Sequence, residues 1–175
     1  MNRKILSAIV IAGTAMASQF ASAADGTITF NGTITAETCT ITGATSGAFT
    51  VALPTVATSS LAAANATAGT TPFSISLTGC TSTGRVYSNF EPGTNVDGVT
   101  NNLKTGIANL QVRLLNGDLT PIKAGLAAAA QNSKAVQIAG GAATLPYFAE
   151  YIANGAAVTA AGAVSTTVQY TLAYE

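Results

Sequence analysis

The sequence predicts an all-β fold, a single sandwich of antiparallel strands, from three observations. Short stretches alternate apolar and polar residues with a period of two, the signature of half-buried strands. Turn signals built on Gly, Asn, Ser and Pro separate those stretches. Only Leu126-Ala127-Ala128-Ala129-Ala130 has a helical composition, and it is too short to stand alone. No internal repeat is visible, so the strands build one sandwich.

In chain order, Thr27 to Ile34 alternates, with Ile28, Phe30 and Ile34 sharing a face with Gly32. Phe49 to Leu53 is a shorter candidate strand. Thr55 to Thr71 is a low-complexity Ala/Thr/Ser stretch, read as a surface connection with weak strand content. Phe73, Ile75 and Leu77 then point one way from a strand, and Asn109 to Leu114 repeats the pattern. Leu126 to Ala130 reads as one turn or a loop. Ala135 to Ala139 and Tyr147 to Ile152 are further short strands. Thr166 to Tyr174 closes the chain with a long alternation. Turns fall at Ala44 to Gly47, Glu91 to Thr94, Asn116 to Asp118, and Asn154-Gly155.

Residues 1–23 read as a secretory signal. Arg3 and Lys4 precede an apolar stretch from Ile5 to Ala17, and Ala21-Ser22-Ala23 supplies the small residues of a cleavage site. Ser18 and Gln19 interrupt the apolar run before it reaches the roughly 18 residues that a span requires. Cleavage there leaves one domain of ordinary size. Export also changes how Cys39 and Cys80 read. They are the only cysteines, and an oxidising compartment favours a disulfide between them. In the chain-entropy model such a loop stabilises by about 4 kcal/mol. The competing redox or zinc reading is weak, because two thiols without His cannot complete a tetrahedral site.

Composition excludes several kinds of chemistry. The chain is 8% charged and contains no His, against about 25% charged in typical domains. Every Ser-His, Cys-His and His-metal constellation is therefore absent. After the signal, five basic residues face seven acidic ones, a net −2 that offers no cationic footprint for nucleic acid or anionic lipid. The seven carboxylates are scattered singly and read as solvated surface groups. A pair of them could in principle serve a glycosidase, but nothing marks which two. Ser133 and Lys134 would point to opposite faces of a strand, and no Gly-Lys-Thr follows Gly140-Gly141. No catalytic residue, cofactor site or metal site is expected. Asn31-Gly-Thr and Asn65-Ala-Thr match a glycosylation sequon, as chance predicts at this Thr content.

Four features together carry a resemblance. Thr29-Phe30-Asn31-Gly32-Thr33 stands shortly before the first cysteine. Ser76-Leu77-Thr78-Gly79 ends on the second, Cys80. Tyr147-Phe148-Ala149-Glu150-Tyr151 precedes a Gly/Ala-rich turn. Gly162 is fourteenth from the end, and Tyr174 is penultimate. With these features the chain resembles the subunits of chaperone-usher fimbriae of Gram-negative bacteria, the type 1 major pilins in particular. One departure is Glu150, where relatives often carry a basic residue.

The resemblance implies an incomplete immunoglobulin-like β-sandwich, the pilin fold, completed by a donor strand from a neighbouring subunit. Residues 24–36 would be the donor extension and 37–175 the pilin domain. Ile28, Phe30 and Ile34 would enter a neighbour's groove, with Gly32 where that groove is too shallow for a side chain. Period-two alternation would put Gly162, Val164, Thr166, Val168, Tyr170, Leu172 and Tyr174 on the acceptor face. The terminal carboxylate, on Glu175, would be the handle that a periplasmic chaperone grips. The implied partners are identical or related pilins in a homopolymer, that chaperone and an outer-membrane usher, with no nucleic acid and no membrane insertion. The implied place is a fimbria outside the cell, supporting adhesion. A minor tip or adaptor pilin would share these motifs. On pattern alone, residues 27–34 would be the first strand of a self-contained sandwich, and a secreted monomeric ligand-binding sandwich is the reading from a different class.

Overall fold

The computed structural model describes residues 28–29, 39–43 and 47–175. The chain divides into two units, Met1–Thr35 and Ala36–Glu175, and the architecture that follows is that of the second. Residues 1–23 and the donor positions Phe30, Gly32 and Ile34 lie outside the described residues.

Among the described residues, nine strands form two sheets. β1 (Thr40–Thr42), β2 (Thr67–Thr78), β4 (Leu103–Lys104), β5 (Leu110–Asn116), β6 (Pro121–Ile122) and β8 (Ala143–Ala153) make the larger. Its order is β1-β2-β8-β5-β4, with β6 also pairing with β5. β3 (Arg85–Phe90), β7 (Val136–Gln137) and β9 (Tyr170–Tyr174) make the smaller, in the order β7-β3-β9. The ladders within both sheets are antiparallel. Short 3-10 turns occupy Thr58–Leu61 and Ala128–Ala130, the second where the sequence suggested a single turn.

The core forms between the sheets because alternate residues point inward. Ile75 and Leu77 of β2, Leu145 and Tyr147 of β8, and Val112 and Leu114 of β5 face Val86 and Phe90 of β3. Each such buried side chain contributes about 1.5–3 kcal/mol. Tyr147 is central. Its ring packs edge-on against Phe90, with centroids 5.4 Å apart, and lies 5.5 Å from Phe73. Its hydroxyl accepts the Ser88 backbone N–H at 3.2 Å. Gln131, also buried, accepts the Phe90 N–H and donates to the Phe90 and Leu126 carbonyls and to Asn89. These two side chains satisfy the stretch of β3 that β7 is too short to pair.

The structure differs from the sequence reading at several places: the short strands β1, β4 and β6 were not anticipated, and four further differences are larger. β3 was not anticipated, because Ser88 interrupts the apolar alternation of Val86 and Phe90. Phe49 to Leu53 forms no strand ladder with the described residues. Thr55 to Thr71 is more than a surface connection: Leu61 is 2% exposed, and β2 already begins at Thr67. Glu150 is not a solvated carboxylate. It is 5% exposed, opposite Arg113 in the β5–β8 register, and it accepts from Arg113 Nε at 3.0 Å and Thr70 Oγ1 at 2.8 Å. A bulge between Ala68 and Thr71 accompanies this last contact. Gly69 in the bulge has φ +70°, and a Cβ there would meet Pro54, Tyr151 and Val56 at 3.1–3.2 Å. Only glycine lets the 54–56 segment lie this close to the sheet.

Candidate functional site

The C-terminal stretch is where the sandwich is unfinished. From Val164 to Tyr174 burial alternates: Val164, Thr166, Val168, Tyr170, Leu172 and Tyr174 are half-buried, while residues 165, 167, 169 and 171 between them are exposed. The alternation outruns the ladder, which covers only Tyr170–Tyr174. An extended segment with inward apolar side chains and no strand partner has an open edge.

Which edge is open follows from the hydrogen bonds. Arg85 and Glu175 exchange backbone bonds of 2.9 and 2.8 Å, and the Glu91 N–H donates to the Gln169 carbonyl. Odd-numbered residues of this strand therefore turn their backbone groups to β3, and even-numbered ones turn theirs away. Among the described residues, no backbone partner meets the N–H groups of Tyr170, Leu172 or Tyr174. Contrast the far side of β3, where Tyr147 and Gln131 supply the missing partners.

A second wall faces this edge. The Tyr170 hydroxyl donates to the Gly47 carbonyl at 2.7 Å, and its ring packs edge-on against Phe49, with centroids 6.1 Å apart. Burial pushes the Tyr170 phenol above its ordinary pKa. The Tyr174 hydroxyl accepts the Cys39 N–H at 3.3 Å. Further along, Leu53, Pro54, Val56 and Thr58 lie across from Ala160, Gly162 and Val164 around an open cavity of about 550 Å³. Leu61, Ile107, Leu110, Tyr151 and Val158 also line it. The two walls thus run antiparallel. Side chains bridge them, but no backbone hydrogen bond between residues 47–58 and 160–174 does so among the described residues. The Val158 N–H to Leu61 carbonyl bond, 3.0 Å, closes one end.

The sequence-predicted acceptor residues accordingly lie along one wall. Gly162 is exposed, with the Ile107 side chain 3.4 Å from where its Cβ would be. Glu175 extends the ladder and sets its side-chain carboxylate 3.9 Å from the Arg85 guanidinium at the surface. Cys39 and Cys80 form a disulfide, which ties the chain before β1 to the end of β2. Ile28 is described and is 78% exposed. Sequence reasoning missed the 53–61 wall with its cavity. A run of small residues carries no strand period, and Gly69 inside a strand pattern was the available signal. Among the described residues no group of acidic, Cys or His side chains could hold a metal, and no helix is long and apolar enough to cross a membrane.

An immunoglobulin-like sandwich with one open strand edge and a groove beside it defines the class of pilin subunits. The family model of FimA, the type-1 fimbrial protein, matches residues 53–175. The major fimbrial subunit SMF-1 of Stenotrophomonas maltophilia is 47% identical over 163 residues, covering 88% of this chain and 95% of that protein. The F17 fimbrial protein of Escherichia coli is 44% identical, over 86% of this chain and 88% of its own. Two solved structures share the fold at 24% identity. A chaperone-usher pilus subunit covers 87% of this chain and 96% of its own at a TM-score of 0.63. The P pilus rod subunit PapA covers 78% and 99% at 0.61. The chain belongs to the type-1 fimbrial protein family, and it is a structural subunit of an extracellular fimbria that assembles with related subunits.

Proposed function

We propose that the chain builds the rod of its fimbria by donor-strand exchange and performs no catalysis. In this reading residues 1–23 are removed on export, residues 24–36 are the donor extension, and residues 37–175 are the domain that accepts a neighbour's extension. The open even-numbered edge from 164 to 174, with a groove beside it, carries the reading. An extended peptide added there would gain a ladder of backbone bonds and bury alternate side chains. Ile28, Phe30 and Ile34 are the apolar side chains it would bury, at about 1.5–3 kcal/mol each. An unfilled apolar edge aggregates, so a periplasmic chaperone holds the groove first, gripping Glu175, and an outer-membrane usher exchanges it for the donor. The relative named as a major fimbrial subunit favours a rod role over a tip or adaptor role. The rod in turn supports adhesion.

Size-exclusion chromatography of the mature protein, with and without residues 24–35, tests the reading. The intact protein should elute as polymers and the shortened one should not. Polymers of the shortened protein would refute donor-strand exchange.

A further inference from the structure

The acceptor wall presents three inward hydroxyls, and two of them have partners: Tyr170 with Gly47 and Tyr174 with Cys39. The third does not. Thr166 Oγ1 is buried without a hydrogen bond, between Val164 and Val168 on a face otherwise apolar or aromatic. A buried hydroxyl with no partner is costly; those of Ser88 and Ser133 are also unpaired, but Thr166 is the one of the three that lies on the open edge, where a partner from outside the subunit would dock.

The donor segment has a matching irregularity. Its inward positions read Ile28, Phe30, Gly32, Ile34, three apolar side chains and one position without any. Residues 24–36 and residues 162–174 are the same length, thirteen positions each. Laid antiparallel, as in the subunit's own ladders, the two align end to end. Ile34 then meets Val164, Gly32 meets Thr166, Phe30 meets Val168 and Ile28 meets Tyr170. A slip of two residues either way would place Phe30 or Ile34 over the Thr166 hydroxyl and seal it under hydrocarbon. A slip of one would turn every donor side chain to the wrong face.

We propose that Thr166 sets the register of the incoming strand: its hydroxyl donates to the backbone carbonyl of Gly32 from a second copy of the chain. A ladder carbonyl keeps a second lone pair for such a bond, and only a residue without Cβ leaves the approach open. The proposal rests on the donor-strand reading and adds a specific pairing to it.

Cysteine pairs on the outward face read the register directly. Position 33 would lie opposite position 165 at a pair not hydrogen-bonded to the donor, where facing Cα atoms come within disulfide reach. Positions 163, 165 and 167 are all exposed. Full-length mature protein carrying Thr33→Cys with Ser165→Cys should give a disulfide-linked ladder on non-reducing gels. Thr33→Cys with Ala163→Cys or with Thr167→Cys should give at most about a tenth as much. Dominant cross-linking at 163 or 167 would overturn the register while leaving donor-strand exchange standing. Assembled fibres without cross-links in any pair would overturn both. Separately, Thr166→Val fibres should dissociate in guanidinium about tenfold faster than wild type, and Thr166→Ser fibres at the wild-type rate. Equal rates for Thr166→Val and wild type would remove the hydroxyl from the account.

Discussion

The Arg113 guanidinium and the Glu150 carboxylate meet on the outer face of the large sheet, with Nε 3.0 Å from Oε1, directly opposite in the β5–β8 register. The Glu150 side chain is 6% exposed and that of Arg113 27%. Removing one partner of a buried pair leaves an uncompensated charge. Arg113→Ala should therefore destabilise the folded subunit by about 3 kcal/mol, near the low end of that class because Thr70 still donates to Glu150. Guanidinium unfolding of the disulfide-bonded protein measures it, and a loss below about 1 kcal/mol would contradict the buried pairing.

Tyr147→Phe keeps the ring contacts with Phe73 and Phe90 and removes only the oxygen that accepts the Ser88 N–H. That backbone donor is then buried and unpaired, so the expected cost is about 1–3 kcal/mol. Hydrogen exchange at the Ser88 amide should quicken along with the loss of stability. An unchanged midpoint would mean that another group satisfies this part of β3.

Acid should weaken the β5–β6 turn in a defined window. Asp118 accepts from the Lys134 ammonium and then from the Thr120 hydroxyl, which hold its pKa down to about 2 from an ordinary 3.8. A carboxylate with a depressed folded-state pKa stabilises above its unfolded value, and that stabilisation fades as pH falls from about 4 toward 2. Thr171 and Asn89 shift Glu91 in the same direction, and backbone N–H groups of Thr100 and Val99 shift Asp97. Thermal unfolding of Asp118→Asn should lose less between pH 4 and pH 2 than wild type does. Parallel curves would exclude Asp118 from the acid limb.

Deleting Tyr174 and Glu175 removes the last inward aromatic, its contact with Cys39, and the backbone exchange with Arg85. Under the proposed assembly route it also moves the terminal carboxylate away from the chaperone's grip. The truncated subunit should be degraded in the periplasm as a strand-deficient species. Immunoblots showing wild-type periplasmic levels would count against the handle.

How far the sequence could be read depended on whether a residue's neighbours in space leave a trace along the chain. The even-numbered face from Val164 to Tyr174 was legible, because alternation records burial whether or not a ladder forms. β3 was not: Ser88 sits at a core position, and its place there rests on the Tyr147 hydroxyl and on β9, both distant in sequence. Glu150 likewise reads as a surface carboxylate until Arg113 is known to lie opposite. The 53–61 wall was hidden for another reason, since small residues laid flat by the Gly69 bulge show no period. Donor positions Phe30, Gly32 and Ile34 lie outside the described residues and stand on the sequence and the proposed assembly alone.

The unequal treatment of strand edges has a geometric consequence. The large sheet ends on strands two or three residues long, too short to template another chain, and the far side of β3 is sealed by Tyr147 and Gln131. One long open edge remains among the described residues, and under the proposed donor-strand exchange each chain carries one segment to offer it. A unit with a single socket and a single plug cannot branch. Its concentration can rise without producing a gel or a two-dimensional lattice, and every addition lengthens one thread.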